Sequence, residues 1–120
     1  MKPLVHAKSS VRKWGGVVED YIPIHDFFDA SKACLPDMRH RAILHSAFGI
    51  FLLEKVFGTY ITNSDGRRIS VRELGEQHVI EDLGFIPTME KWLTNLPRED
   101  WMYGKRRFKN KETIKFKDED

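Results

Sequence analysis

The chain has 120 residues, which fits one domain and excludes a second core, because single cores commonly occupy about 100 to 150 residues. Hydrophobic residues make up 41% and aromatics 12%, enough apolar surface to exclude wholesale disorder. The formal net charge is only +2, and the basic excess is not spread evenly but gathers at Arg39 and Arg41, at Arg67 and Arg68, and between Lys105 and Lys117. Such patches suit a phosphate or an acidic partner, or form a solvated face. A lone cysteine, Cys34, excludes an intrachain disulfide, and the first residues carry no secretory pattern, so a reducing, cytoplasmic setting is expected. Cys34 itself reads as a small core residue. The most apolar stretch, Ala42 to Leu53, falls well short of the ~20 residues that span a bilayer, so no membrane contact is expected.

Pro3 followed by Leu4, Ala7, Val11 and Trp14 at helical intervals, with Gly15 and Gly16 as a stop, predicts a first helix over residues 3 to 14. Beyond Pro23, Ile24 to Cys34 reads as a second helix, halted by Leu35 and Pro36. Asp37 then caps a long helix to about Phe57, ended by Gly58 and apolar nearly all round from Ala42 onward. On that ground Phe48, Phe51 and Leu52 are expected to be largely buried.

Tyr60, Ile61 and Thr62, the turn residues Asn63 to Gly66, and Ile69 predict a short hairpin. Ser70 with Glu73 reads as a capping box for a helix to Leu83, closed by Gly84. Thr88 caps a further short helix from Met89 to Leu96, stopped by Pro97. Trp101 is expected to dock on the body. The fold expectation is mainly α: a compact bundle of about five helices around a central apolar helix (about 37–57), with a short β-hairpin near 59–70. Residues 1–104 form the single helical domain, and 105–120 a charged C-terminal tail that is mobile or serves a partner.

Histidine is at once a metal ligand, a proton carrier and an ordinary half-buried side chain. There are five: His6, His25, His40, His45 and His78. His25 is followed by Asp26, with Asp29 one turn beyond; an adjacent histidine and aspartate can ligate a divalent cation, or simply be polar surface. His78 and Asp82 stand four apart on one helical face with Gly75 below them. That spacing allows either a site with room for a ligand or a hydrogen-bonded pair on a closely packed helix. His40 and His45, five apart, turn to different sides of a continuous helix, which argues against one shared ion. His45 lies in an apolar stretch on the side of Arg41, and is either hydrogen-bonded in the core or used. Arg39, His40 and Arg41 at a helix start suit an anion, or His40 is simply an exposed helix-end histidine.

The run His25-Asp26, Lys32, His45, Gly49, Leu52, Leu53 and Glu54, over residues 24 to 56, resembles the core pattern of the HD phosphohydrolase superfamily. It departs from that pattern at Pro36, in the short gap from His6, and in lacking the glycine before the lysine. The resemblance implies a divalent metal ion held by helices that present a histidine, a histidine-aspartate pair and a distal aspartate. His25 and Asp26 would then be ligands, His6 the leading histidine, Asp82 the distal aspartate, Lys32 a neighbour of the phosphate, and His45 a ligand or substrate contact.

A wider likeness, over most of residues 3 to 102, rests on Val5-His6-Ala7, Ile61 to Gly66, Gly75 to Val79 and Glu81 to Gly84. These resemble an uncharacterised family of small bacterial and phage proteins, which implies a bacterial or phage-infected cell and no particular activity.

The resulting expectation is a metal-dependent phosphohydrolase acting on a phosphoester or nucleotide. Its metal ligands come from His6, His25, Asp26, His78 and Asp82, its catalytic groups are His45, Lys32 and Arg41, and Arg39 and His40 bind substrate. The alternatives are a non-catalytic module that recognises a nucleotide, a nucleic acid or a protein, and a phage structural or host-modifying protein.

Overall fold

The structure is a computed structural model and describes residues 1–105. The tail expected beyond residue 105 lies outside the described residues.

Helix α1 is Pro3–Trp14, with Pro3 in its first turn and Gly15 as its C-cap. Its inward stripe is His6, Ala7 and Ser10. Helix α2, Ile22–Phe28, buries Ile24, His25 and Phe28, and continues as a 3₁₀ turn over Ala30–Ala33. The predicted helix to Cys34 therefore loosens after Phe28, and Cys34 is exposed rather than in the core.

The expected central helix is divided. Asp37 does cap its start, accepting the Arg39 N–H at 2.9 Å, but the chain forms a 3₁₀ turn at Met38–His40, then α3, Arg41–Leu44, then α4, Ala47–Phe57. His45, at φ −81° and ψ 67°, sits at the centre of an inverse γ-turn closed by the Ser46 N–H on the Leu44 carbonyl at 2.8 Å. Two contacts from far along the chain hold this break: Trp92 Nε1 donates to the His45 carbonyl at 2.8 Å, and the Ala47 N–H to the Pro87 carbonyl at 2.9 Å. Ser46 then caps α4 by accepting the Gly49 N–H. No local residue preference forbids a continuous helix here, so the sequence pattern alone misses the break.

Strands β1, Tyr60–Thr62, and β2, Arg68–Ser70, pair antiparallel with Ile61 opposite Ile69. Helix α5, Val71–Leu83, starts on Ser70, whose hydroxyl accepts the Glu73 N–H, and ends at Gly84 in the left-handed region. Helix α6, Met89–Leu93, is capped by Thr88. A 3₁₀ turn follows at Asp100–Tyr103, where Trp101 is 65% exposed instead of docked.

Helices α1, α2, α4 and α5 enclose the core, in which Tyr21, Ile24, Phe28, Leu53, Ile69, Val71, Leu74 and Val79 are all buried. Each such aliphatic or aromatic side chain contributes about 1.5–3 kcal/mol by leaving water. Helix α4 buries Ile50 and Leu53 in this core and packs the half-buried Leu52 and Phe57 against it, while Phe48 and Phe51 are exposed. Its apolar circumference thus overstated its coverage. Among the described residues no helix is long and apolar enough to cross a membrane.

Candidate functional site

Four helical segments each place a histidine where an apolar residue would ordinarily pack. His6 comes from α1, His25 from α2, His45 from the γ-turn before α4, and His78 from α5; all four are fully buried. His78 lies at the middle, stacked on His6 at a centroid distance of 3.8 Å and on Phe28 at 4.5 Å. His25 stacks near His78 at 5.2 Å, and His45 meets it edgewise at 5.0 Å.

The imidazoles surround one carboxylate. Asp82, one turn after His78 on α5 and with only 1% of its side chain exposed, lies 2.9 Å from His45 Nε2, 3.2 Å from His6 Nε2 and 3.3 Å from His78 Nε2. Only the His45 contact has hydrogen-bond alignment; the Nε2 atoms of His6 and His78 are buried and have no hydrogen-bond partner among the described residues. The N-terminal amine also donates to Asp82 Oδ1 at 2.9 Å, and the Arg41 guanidinium approaches to 3.9 Å.

Asp29, from the end of α2, completes the group: its Oδ1 lies 3.9 Å from His45 Nε2 and 3.3 Å from His40 Nε2, while its Oδ2 is buried without a partner. One ligand-type atom from each of Asp29, His45, His78 and Asp82 falls within a sphere where all lie within 4.8 Å of one another, and the same holds for His6, His25 and His78.

A rim of further polar groups orients the rings. Glu81 accepts from His6 Nδ1 at 2.7 Å and from Ser9 at 2.5 Å. Gln77 donates to Glu81 and to the His6 carbonyl, and Ser10 stands between Gln77 and His25. The centre reaches solvent at Asp29, 10% exposed, and at Arg41, 27% exposed, whose Nε is buried and unpartnered.

The electrostatics follow from burial among these groups. Burial, reinforced by the neighbouring His78 and His6, pushes His25 down to about 2. Burial likewise pushes His78 down to about 4, against the pull of Asp82 and with His6 and His45 adding to it. For His6 burial also opposes protonation, but Asp82 and Glu81 outweigh it and raise its pKa. Burial works against ionisation of Asp82, yet His45, His6, His78 and the N-terminal amine hold its carboxyl well below the usual carboxylate range. The centre thus joins two imidazoles held neutral by burial, His25 and His78, with the ionised carboxylate of Asp82.

The structure brings together His6, His25, His45, His78 and Asp82 of the residues singled out from sequence, with Arg41 at the rim. It does not bring Asp26 to them: the residue after buried His25 turns outward and is exposed, because adjacent positions on a helix diverge by about 100°. Lys32 is exposed on the 3₁₀ turn, and Arg39 is exposed and engaged with Asp37 at 2.7 Å. His40 is buried and, contrary to the expectation from a continuous helix, converges with His45 on Asp29, their rings 5.9 Å apart. The γ-turn is the reason.

Gly75 does not open the site. A Cβ there would stand 3.0 Å from Leu53 and 3.2 Å from Ile50, so this glycine permits close packing of α5 on α4. Sequence reasoning missed Ser10, Gln77 and Glu81 and left Asp29 outside the ligand set. A signal existed: Gln77 and Glu81 repeat, one residue earlier, the four-residue spacing of His78 and Asp82, and Ser10 follows His6 at the same spacing.

No curated protein and no solved structure matches this chain. A family model does, over residues 1–102, and on that match the chain belongs to the family described as Domain of unknown function (DUF6915).

Proposed function

We propose that this chain is a metal-dependent phosphohydrolase of the histidine-aspartate type, in which a divalent ion is held by His45 and His78 together with the carboxylates of Asp82 and Asp29, with His6 against the same Asp82. The observation that carries this reading is three Nε2 atoms, from three separate segments, 2.9–3.3 Å from one buried carboxylate, two of them without hydrogen-bond alignment. Two ligand atoms about 2.0–2.2 Å from a shared ion at tetrahedral or right angles stand about 2.8–3.6 Å apart. The spacings fit that range, and the donor set of imidazole and carboxylate suits a borderline divalent ion.

When bound, such an ion supplies Lewis-acid polarisation and a source of hydroxide near neutral pH. The chain's own groups supply the rest. Arg41, half-exposed beside Asp82 with an unpartnered Nε, is placed to face an anionic phosphoryl group at the solvent side. His40 holds Asp29 in place at that rim. Phe28 and His6, stacked on either side of the His78 ring, keep it from rotating.

The test is a calorimetric titration of the metal-stripped protein with Zn²⁺ and Mn²⁺, followed by turnover of p-nitrophenyl and nucleotide phosphoesters with and without the ion. The expected result is one bound ion and hydrolysis that requires it, both lost in His78→Ala. Absence of divalent-ion binding would overturn the metal centre; binding that raises stability without any turnover would overturn the phosphohydrolase. Salt-sensitive nucleic-acid binding in a protein that takes up no ion would favour the non-catalytic module instead.

A further inference from the structure

We infer that His25, Ser10 and Gln77 form a tautomer lock, a one-way hydrogen-bond chain that leaves the Nε2 lone pair of His78 bare and aimed at Asp82. His25 is then a positioning residue and not a ligand. The consequence for metal affinity rests on the function proposed above; the direction of the chain does not.

The direction follows by elimination from contacts with groups that can only accept. Gln77, 6% exposed, has its amide nitrogen 3.0 Å from the His6 carbonyl and 3.1 Å from both Glu81 oxygens. The reverse amide orientation would set its oxygen against three acceptors, so Gln77 Oε1 faces Ser10. That oxygen is 2.7 Å from Ser10 Oγ, a separation that requires a proton between them, and the hydroxyl has only one to give. Ser10 Oγ also lies 3.1 Å from the His6 carbonyl, which again can only accept, so the hydroxyl must itself accept at its one contact with a group able to donate, the 2.9 Å approach of His25 Nε2, which places a proton on that nitrogen.

His25 is fully buried, and among the described residues its ring has hydrogen-bond contacts only with Ser10 and His78. A second proton on it would make a buried cation with no carboxylate in contact. Its Nδ1 is accordingly an acceptor, and the 3.0 Å contact between the two Nδ1 atoms requires His78 to donate. His78 then carries a proton on Nδ1 and, as a neutral ring, none on Nε2. This accounts for the buried Nε2 without a hydrogen bond, 3.3 Å from Asp82 Oδ2: two lone pairs face each other, an arrangement that a cation between them relieves. Fixing a ligand's tautomer from behind is the role that outer hydrogen bonds play at metal-ligating histidines.

The experiment uses the full chain, ¹⁵N-labelled at histidine and stripped of metal, at neutral pH. Long-range ¹H–¹⁵N correlation spectra assign the protonated nitrogen of each ring. The expected pattern is Nδ1–H for His78 and Nε2–H for His25. His78 found protonated on Nε2 overturns the lock whether or not the protein binds metal. The expected tautomers in a protein that does not bind Zn²⁺ uphold the lock and overturn the metal centre. A second arm measures Zn²⁺ affinity of Ser10→Ala, confirmed folded by circular dichroism: about a 10- to 100-fold loss is expected. An unchanged affinity overturns the positioning role, and the wild-type spectra still decide the direction of the chain should this variant not fold.

Discussion

Helix α5 buries two faces of opposite character. Toward α4 it presents Gly75 against Ile50 and Leu53, an apolar contact in which backbone and side chains approach as closely as a missing Cβ permits. Toward α1 and α2 it presents Gln77, His78, Glu81 and Asp82 to three further imidazoles. The first face is stabilised by surface removed from water, whatever its detailed partners. The second stays favourable only while each buried polar group is matched, and the unaligned Nε2 atoms of His6 and His78 mark where matching within the protein ends. A core can thus be apolar on one side of a helix and rich in titratable groups on the other.

The largest effect that would break this comparison is expected from Asp82→Asn. Removing the charge beneath His6, His45 and His78 while keeping the side chain's shape should abolish Zn²⁺ binding in calorimetry. It should also cost about 3–5 kcal/mol in urea unfolding of the metal-free protein, because the surrounding groups lose their counter-charge. A loss below about 1 kcal/mol would show that the polar face needs no compensation.

The apolar face is sharpened by a pair of truncations on α4. Leu53→Ala, at a fully buried position against Gly75, should cost about 2–5 kcal/mol. Phe51→Ala, at a half-exposed position, should cost less than about 1 kcal/mol. Equal losses in denaturant unfolding would mean that α4 is covered all round after all.

A smaller and graded effect separates the faces by pH. His25 and His78 are held at about 2 and about 4 in the folded protein, so below their ordinary 6.5 the unfolded chain binds more protons than the folded one. Stability of the metal-free protein should fall as pH drops from 6.5 toward 5, by up to about 1.4 kcal/mol per pH unit for each ring. His6, raised above 6.5, acts in the opposite sense: its contribution is present below 6.5 and is lost as pH rises through its folded value. Denaturation midpoints that stay level between pH 6.5 and 5 would mean that the rings are not held neutral by burial. The smallest effect is expected from Asp26→Asn, which should leave both Zn²⁺ affinity and unfolding unchanged, since Asp26 faces solvent. Loss of Zn²⁺ binding in that variant would return the ligand set to the histidine-aspartate dipeptide.

Some of this was legible because its causes are local. The bounds of α1 follow from Pro3 and Gly15, the start of α5 from Ser70 and its end from Gly84, and the hairpin from Asn63 to Gly66 between strand-forming residues. The pairing of His78 with Asp82 was equally legible, since four residues on a helix are one turn. The break at His45 was not, because the residues on either side favour helix and the turn is held by Trp92 and Pro87, more than forty positions and about forty positions away. The exposure of Phe48 and Phe51 was hidden for a related reason: an apolar surface states that a face can be buried, not that a neighbour is there to bury it.

What the sequence by itself determined is therefore a mainly helical fold, the bounds of α1 and α5, the hairpin, and a supply of histidines and carboxylates, since periodicity, caps and turn chemistry act over a few residues. Tertiary structure alone decided which of those groups meet. The γ-turn swings His45 toward Asp29 and Asp82, the helical rotation between adjacent residues buries His25 while exposing Asp26, and the packing of α1 against α5 sets His6 on His78. Convergence of side chains from distant segments depends on how the helices pack, and a local pattern carries no record of that.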